Sequence, residues 1–148
     1  VQSLLIEFYA LFAFTPALWA KHSTQTTIAS VNHPITLQSV ANIELFQSPE
    51  GNTIKLINLG ETCQFEGIFY YETGKTVEHY WFKGKALIKA QRQDYHYTLG
   101  GLANLQNNHG KFDHIPDNKL ALKIHDPQIQ SQFQVYRSLF ANSVLQQC

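Results

Sequence analysis

Apolar and polar residues alternate along the middle of the chain with the period of two that marks a strand with one face buried. Between residues 63 and 99 this alternation predicts a meander of four strands. Phe65, Gly67, Phe69 and Tyr71 alternate with Glu66, Ile68, Tyr70 and Glu72. The chain then turns at Thr73-Gly74-Lys75 into residues 77–82, turns again at Gly84, runs through 86–91, and passes Arg92-Gln93-Asp94 into 95–99. Gly84 stands between two lysines, where a tight turn needs a residue that reaches positive φ without steric cost. Large side chains on both sides of residues 69–82 predict a central place in the sheet, with little solvent on either face.

Upstream, Ile35 and Leu37, then Ile43 and Leu45, also recur at period two. Ser48-Pro49-Glu50-Gly51-Asn52 is a turn sequence, and the apolar positions of 54–59 follow it, so the segments flanking the turn are expected to form a hairpin. Residues 100–118 show no period and contain Gly100-Gly101, Asn107-Asn108-His109-Gly110 and Ile115-Pro116-Asp117-Asn118. A stretch that long without structure of its own is uncommon in a compact domain unless it is functional or mobile. Leu120, Leu122 and Ile124 predict one more strand. The period then changes: Asp126 as N-cap, Pro127 at the first helical position, and a stripe of Ile129, Phe133, Tyr136, Phe140 and Val144 predict a helix over 127–146 lying on the sheet.

Residues 4–20 are an apolar block followed abruptly by Lys21-His22-Ser23-Thr24, the profile of a secretory signal peptide cleaved after Ala20. Glu7 and Pro16 inside the block weaken the rival reading of a membrane-spanning helix. The expected organisation is a signal peptide at 1–20 and a single β-rich domain at 21–148, secreted or periplasmic, with no stable membrane anchor after signal removal. Cys63 and Cys148 are an even pair, and in an oxidising compartment a disulfide between them is expected.

Composition narrows the function. Eleven basic residues balance eleven acidic ones, charged residues are only 15% of the chain, and there is no basic run, so nucleic acid is not an expected partner. Gly-x-Ser-x-Gly and Gly-rich phosphate-binding sequences are absent, and no cofactor is expected. His109, Asp113 and His114 are a weak metal or hydrolytic cluster in the irregular stretch, because metal sites need three or four converging ligands. Glu66, Glu72 and Glu78 are candidates for a carboxylate pair, and His79 and His96 for a facing pair across the meander. Tyr71, Tyr80, Trp81, Tyr95 and Tyr97, with Tyr70 beside them, are the leading ligand-binding candidates, since Tyr and Trp join apolar area to a polar tip.

The expected fold is mainly β: an antiparallel meander of about seven to nine strands forming a small barrel or curved sheet, closed by a C-terminal α-helix, with an α+β roll as the alternative. The layout of meander, then helix, then a C-terminal Cys resembles a reduced lipocalin-type barrel in architecture, although no Gly-x-Trp motif lies near the first strand. The expected function is an exported, non-enzymatic binding or inhibitor-like protein acting on a small apolar ligand or a partner protein. The alternatives are a small hydrolase or metal-dependent enzyme using the 100–118 loop, and a structural component of a surface assembly.

Overall fold

The computed structural model describes residues 33–97, 101 and 114–148. Among them six antiparallel strands form one sheet in chain order: β1 (Ile35–Ala41), β2 (Asn52–Asn58), β3 (Cys63–Tyr71), β4 (Gly74–Lys83), β5 (Ala86–Tyr97) and β6 (His114–Leu122). Two helices follow, α1 (Pro127–Ser138) and the one-turn α2 (Asn142–Leu145). The fold is therefore the mainly β meander with a C-terminal helix that the alternation predicts. The sheet is open, with β1 and β6 at its two ends, so the lipocalin-like closure is not realised. The expected signal peptide at 1–20 lies outside the described residues.

Register decides which side chains share a face. Phe65 pairs with Tyr80 and Leu56, and Tyr80 pairs with Ala90. One face of the central strands is thus Ile54, Leu56, Cys63, Phe65, Phe69, Tyr80, Phe82 and Ala90, and these join Phe133, Tyr136 and Phe140 in the buried core. Phe65 is its centre, stacked on Phe82 at 4.6 Å and on Phe140 at 5.4 Å, with Tyr136 edge-on at 6.0 Å. Burying each such ring contributes roughly 1.5–3 kcal/mol. The other face is only half-covered over most of β3, which corrects the expectation of little solvent on both sides.

Four local expectations change for identifiable reasons. Residues 43–45 are not a strand: the Asn52 side chain accepts from the Ile43 N–H at 2.8 Å and donates to the Ile43 carbonyl at 3.1 Å, taking the place of a strand partner. The β3–β4 turn is Glu72-Thr73, since Gly74 already pairs with Tyr71. Its glycine is demanded by close approach, because a Cβ there would fall 2.0 Å from the Tyr95 carbonyl. Arg92-Gln93-Asp94 does not break the chain, and β5 runs continuously over 12 residues with a register shift between Gln93 and Tyr95. Residues 114–118 belong to β6 rather than to a loop, while 98–100 and 102–113 lie outside the described residues. Gly84 does turn the chain with φ +55°.

The helix begins as its sequence predicts, with the Asp126 carboxylate accepting from the Gln128 N–H at 2.8 Å and Pro127 opening the first turn. The single helix expected over 127–146 is instead two, parted at Leu139–Ala141. A straight helix would carry the chain about 15 Å further over its last ten residues. The break turns it back, so that Cys148 reaches Cys63 on β3 and the disulfide closes with Cα atoms 5.5 Å apart. Among the described residues no helix is long and apolar enough to cross a membrane.

Candidate ligand-binding cleft between the sheet and the first helix

The helix covers only part of the core face. Past its covered part, the same alternation that supplies Tyr80 and Phe82 to the core supplies Thr76 and Glu78 on β4, opposite Asp94 and Arg92 on β5. These polar groups floor two adjoining hollows of about 390 and 180 Å³, both lined by Glu78, Arg92 and Gln132. The larger is walled by Gln128 and Ile129 of α1 and by Leu120 and Leu122 of β6, the smaller by Phe46, Phe69 and Tyr71. Larger hollows exist at residues 42–52, about 420 Å³, and at Lys123–Asp126, about 590 Å³, but each is lined by one contiguous segment. A further hollow of about 390 Å³ beside the disulfide also draws on several elements, but its charged side chains, Lys85 and Arg137, are both cations. Where the strands and the first helix converge, opposite charges from paired strands face a common space, a usual setting for a specific small-molecule site.

Glu78 is tied to the helix. Its Oε2 accepts from the Tyr136 hydroxyl at 2.7 Å and, more distantly, from the Tyr80 hydroxyl at 3.4 Å. Gly67 makes this possible: it pairs with Glu78 across β3 and β4, and a Cβ on it would lie 2.7 Å from the Tyr136 hydroxyl oxygen. Burial, reinforced by the Glu78 charge, pushes both phenols well above the usual tyrosine range, so both remain protonated donors. Across the strand, Arg92 turns away from Glu78. Its Nε donates to Asp94 Oδ1 at 2.9 Å, and its Nη2 donates to Thr76 Oγ1 at 3.3 Å, while Thr76 itself donates to Asp94 Oδ1 at 2.6 Å. Burial opposes the charge of Arg92, and the adjacent Asp94, helped by the Glu78 charge, outweighs it, leaving the guanidinium above its ordinary pKa.

The pleat divides the aromatic candidates. Tyr71 and Tyr80 face the helix side, Tyr71 lining the smaller hollow and Tyr80, 1% exposed, contributing mainly to the core. Trp81 and Tyr95 face the opposite side, each under a lysine from the paired position: Lys89 Nζ lies 4.8 Å from the Trp81 ring centroid and Lys75 Nζ 5.0 Å from that of Tyr95. Tyr97 is buried at the end of β5. The five therefore do not form one surface.

The same parity separates the carboxylates. Glu66 pairs with His79 and Gly67 with Glu78, so Glu66 and Glu78 point to opposite faces, and Glu72 sits exposed in the β3–β4 turn. The three candidates therefore do not come together as a carboxylate pair. On the outer face Glu66 bonds Lys55 at 2.8 Å and approaches His79 at 3.4 Å. The His79 imidazole and the Lys55 ammonium hold its carboxyl down to about 2 against the opposing effect of burial. His79 pairs with Gln91, whereas His96 bonds Asp117 at 3.0 Å, so the two histidines do not face each other. His109 and Asp113 lie outside the described residues; His114 opens β6. Among the described residues no three or more His, Cys, Asp and Glu side chains gather as a metal site. The Cys63–Cys148 disulfide is present as expected.

Arg92, Asp94, Thr76, Gln132 and the Tyr136 hydroxyl escape a reading of the sequence. One signal for them is present: Thr76 and Glu78, then Arg92 and Asp94, are polar residues in the register of the buried face. Comparison with known protein families, with curated proteins and with solved structures returns no match.

Proposed function

We propose that the protein is an exported, non-enzymatic binding protein that holds a small polar molecule in the cleft between α1 and the sheet. The observation that carries this reading is the floor of the cleft, where Glu78 and Arg92 lie side by side on paired strands and line both hollows. Isolated charges are costly to place beside a core unless hydrogen bonds hold them, and here phenols, a threonine and an aspartate do so. The sequence leaves a small apolar ligand or a partner protein as the expectation; the core rings pack against one another and the cleft beside them is floored by polar groups, which supports a polar ligand for that cleft. Export is supported by the apolar block at 4–20 and by the disulfide, which suits an oxidising compartment.

Native mass spectrometry of the protein recovered from its own host tests both parts. The expected mass is that of a chain beginning at Lys21, with one disulfide and a small adduct lost on denaturation and absent from an Arg92→Ala variant. A bare wild-type chain, or an adduct retained by that variant, counts against the cleft; a chain still carrying residues 4–20 counts against signal cleavage.

A further inference from the structure

Glu78 and Arg92 carry opposite charges at directly paired positions, where side chains are about 5 Å apart at Cβ. Such neighbours ordinarily join in an ion pair, yet each turns to another partner, Glu78 to Tyr136 and Arg92 to Asp94. Both phenols use the same carboxylate oxygen of Glu78, and among the described residues Oε1 has no hydrogen-bond donor. No buried side-chain polar atom among the described residues lacks a partner, so Oε1 is open to the cleft. Arg92 is engaged through Nε and Nη2, and among the described residues Nη1 has no acceptor. An open acceptor and an open donor thus stand beside each other on one floor.

Charge selects between the molecules that could bridge them. The charged groups lining the two hollows are Glu78, Asp94 and Arg92, one positive against two negative. Arg92 shares its charge between Asp94, to which it bonds, and the Glu78 carboxylate beside it, so the lining keeps one net negative charge and favours a single cationic group over an anion. The Arg92 guanidinium then takes a neutral acceptor. Adjacent amino and hydroxyl groups in a small ring are about 3 Å apart, so one ring can present both to neighbouring side chains through hydrogen bonds of about 2.8 Å. The amides of Gln128 and Gln132 add donors and acceptors for further hydroxyls.

We infer that the cleft takes a small polyhydroxylated amine, of the amino-sugar class, with its ammonium on Glu78 Oε1 and a neighbouring hydroxyl on the Arg92 guanidinium. This rests on the cleft being the binding site. The test is isothermal titration of the full chain with glucosamine, glucose and N-acetylglucosamine, repeated on Glu78→Gln, whose amide oxygen still accepts from Tyr136. Glucosamine is expected to bind about tenfold more tightly than the two uncharged sugars, the ratio that one charge-assisted hydrogen bond supplies. In Glu78→Gln that preference is expected to vanish while the urea midpoint stays near wild type. Equal affinities for all three, no affinity for any, or a preference that survives Glu78→Gln overturns the amine assignment. If the assignment fails while the native adduct is still lost in Arg92→Ala, the cleft stands and only the ligand class is rejected. An adduct indifferent to Arg92→Ala rejects both.

Discussion

The contact that joins the first helix to the floor of the cleft passes through the space left by Gly67, so changes at Gly67 and Tyr136 must be coupled. Tyr136→Phe removes the 2.7 Å hydrogen bond to Glu78. Bonds to charged groups are worth about 1.5–3 kcal/mol, and the low end applies because Glu78 keeps access to water through the cleft. Gly67→Ala places a Cβ 2.7 Å from the Tyr136 hydroxyl oxygen and 3.1 Å from both Ile54 Cδ1 and Phe69 Cε2. Overpacking of about 1–3 kcal/mol adds to the displaced hydrogen bond, and the reduced freedom of the unfolded chain returns about 0.4–1 kcal/mol, for a net cost of roughly 2–4 kcal/mol. In the Tyr136→Phe background the nearest clash and the bond are both already gone, so the alanine should cost only about 1 kcal/mol. Urea unfolding of the two single variants and the double variant reads the difference as a coupling energy of about 1–3 kcal/mol. Additivity within about 0.5 kcal/mol, the behaviour of independent sites, would refute the claim that Gly67 exists to admit the hydroxyl.

Two further predictions concern what holds the sheet and its closing segment. The disulfide closes a loop spanning 85 positions, so Cys63→Ser with Cys148→Ser should lower unfolding stability by roughly 4–5 kcal/mol in the chain-entropy model; urea midpoints unchanged by the double replacement would show that α2 docks without it. Glu66 is depressed from 4.5 to about 2, which adds stability fully present above the unfolded-state value near 4.5 and lost as pH falls towards 2. With a quarter of its side chain in solvent the effect is discounted to about 1–2 kcal/mol. A Glu66→Gln variant should therefore show a flatter fall in urea midpoint between pH 5 and pH 2, and superimposable profiles would refute the assignment.

The parts of the fold that depend on near neighbours were legible in the sequence. Asp126-Pro127 opens a helix because cap and first turn are set by adjacent residues. Gly84 turns the chain for the same reason. Errors arose where a partner from elsewhere takes over. Ile43 and Leu45 have the alternation of a strand, but the side chain of Asn52, nine residues on, satisfies the Ile43 backbone. Arg92-Gln93-Asp94 has the polarity of a turn, and it stays in β5 because Thr76 and Asp117, on the strands to either side, bond its side chains. The helix break brings Cys148 to a residue 85 positions earlier, a partner that local periodicity does not name. The candidate site was the least legible part. It requires the β4–β5 register, which places Glu78 beside Arg92, and a tyrosine 58 residues away, and neither leaves a mark in local periodicity.

Two carboxylates twelve positions apart show why one reads as structure and the other as a site. Glu66 and Glu78 are both half-buried on central strands of the same sheet, on opposite faces. Glu66 meets Lys55 and His79, and a cation within bonding distance both orients the carboxylate and compensates its charge. Little of its field remains for anything else. Glu78 is oriented by two phenols held far above their ordinary pKa, which donate hydrogen bonds and remain neutral. Neutral donors fix the position of a charge without removing it, the arrangement that lets a preorganised group act on a ligand. Such a charge tends to acquire a paired cation if one is in reach, and the nearest, Arg92, is drawn aside by Asp94 and Thr76. Replacing Asp94 by Asn would leave Arg92 free to swing onto Glu78 and close the floor on itself, so on this reading Asp94 keeps the cleft open by holding the cation away from the anion beside it.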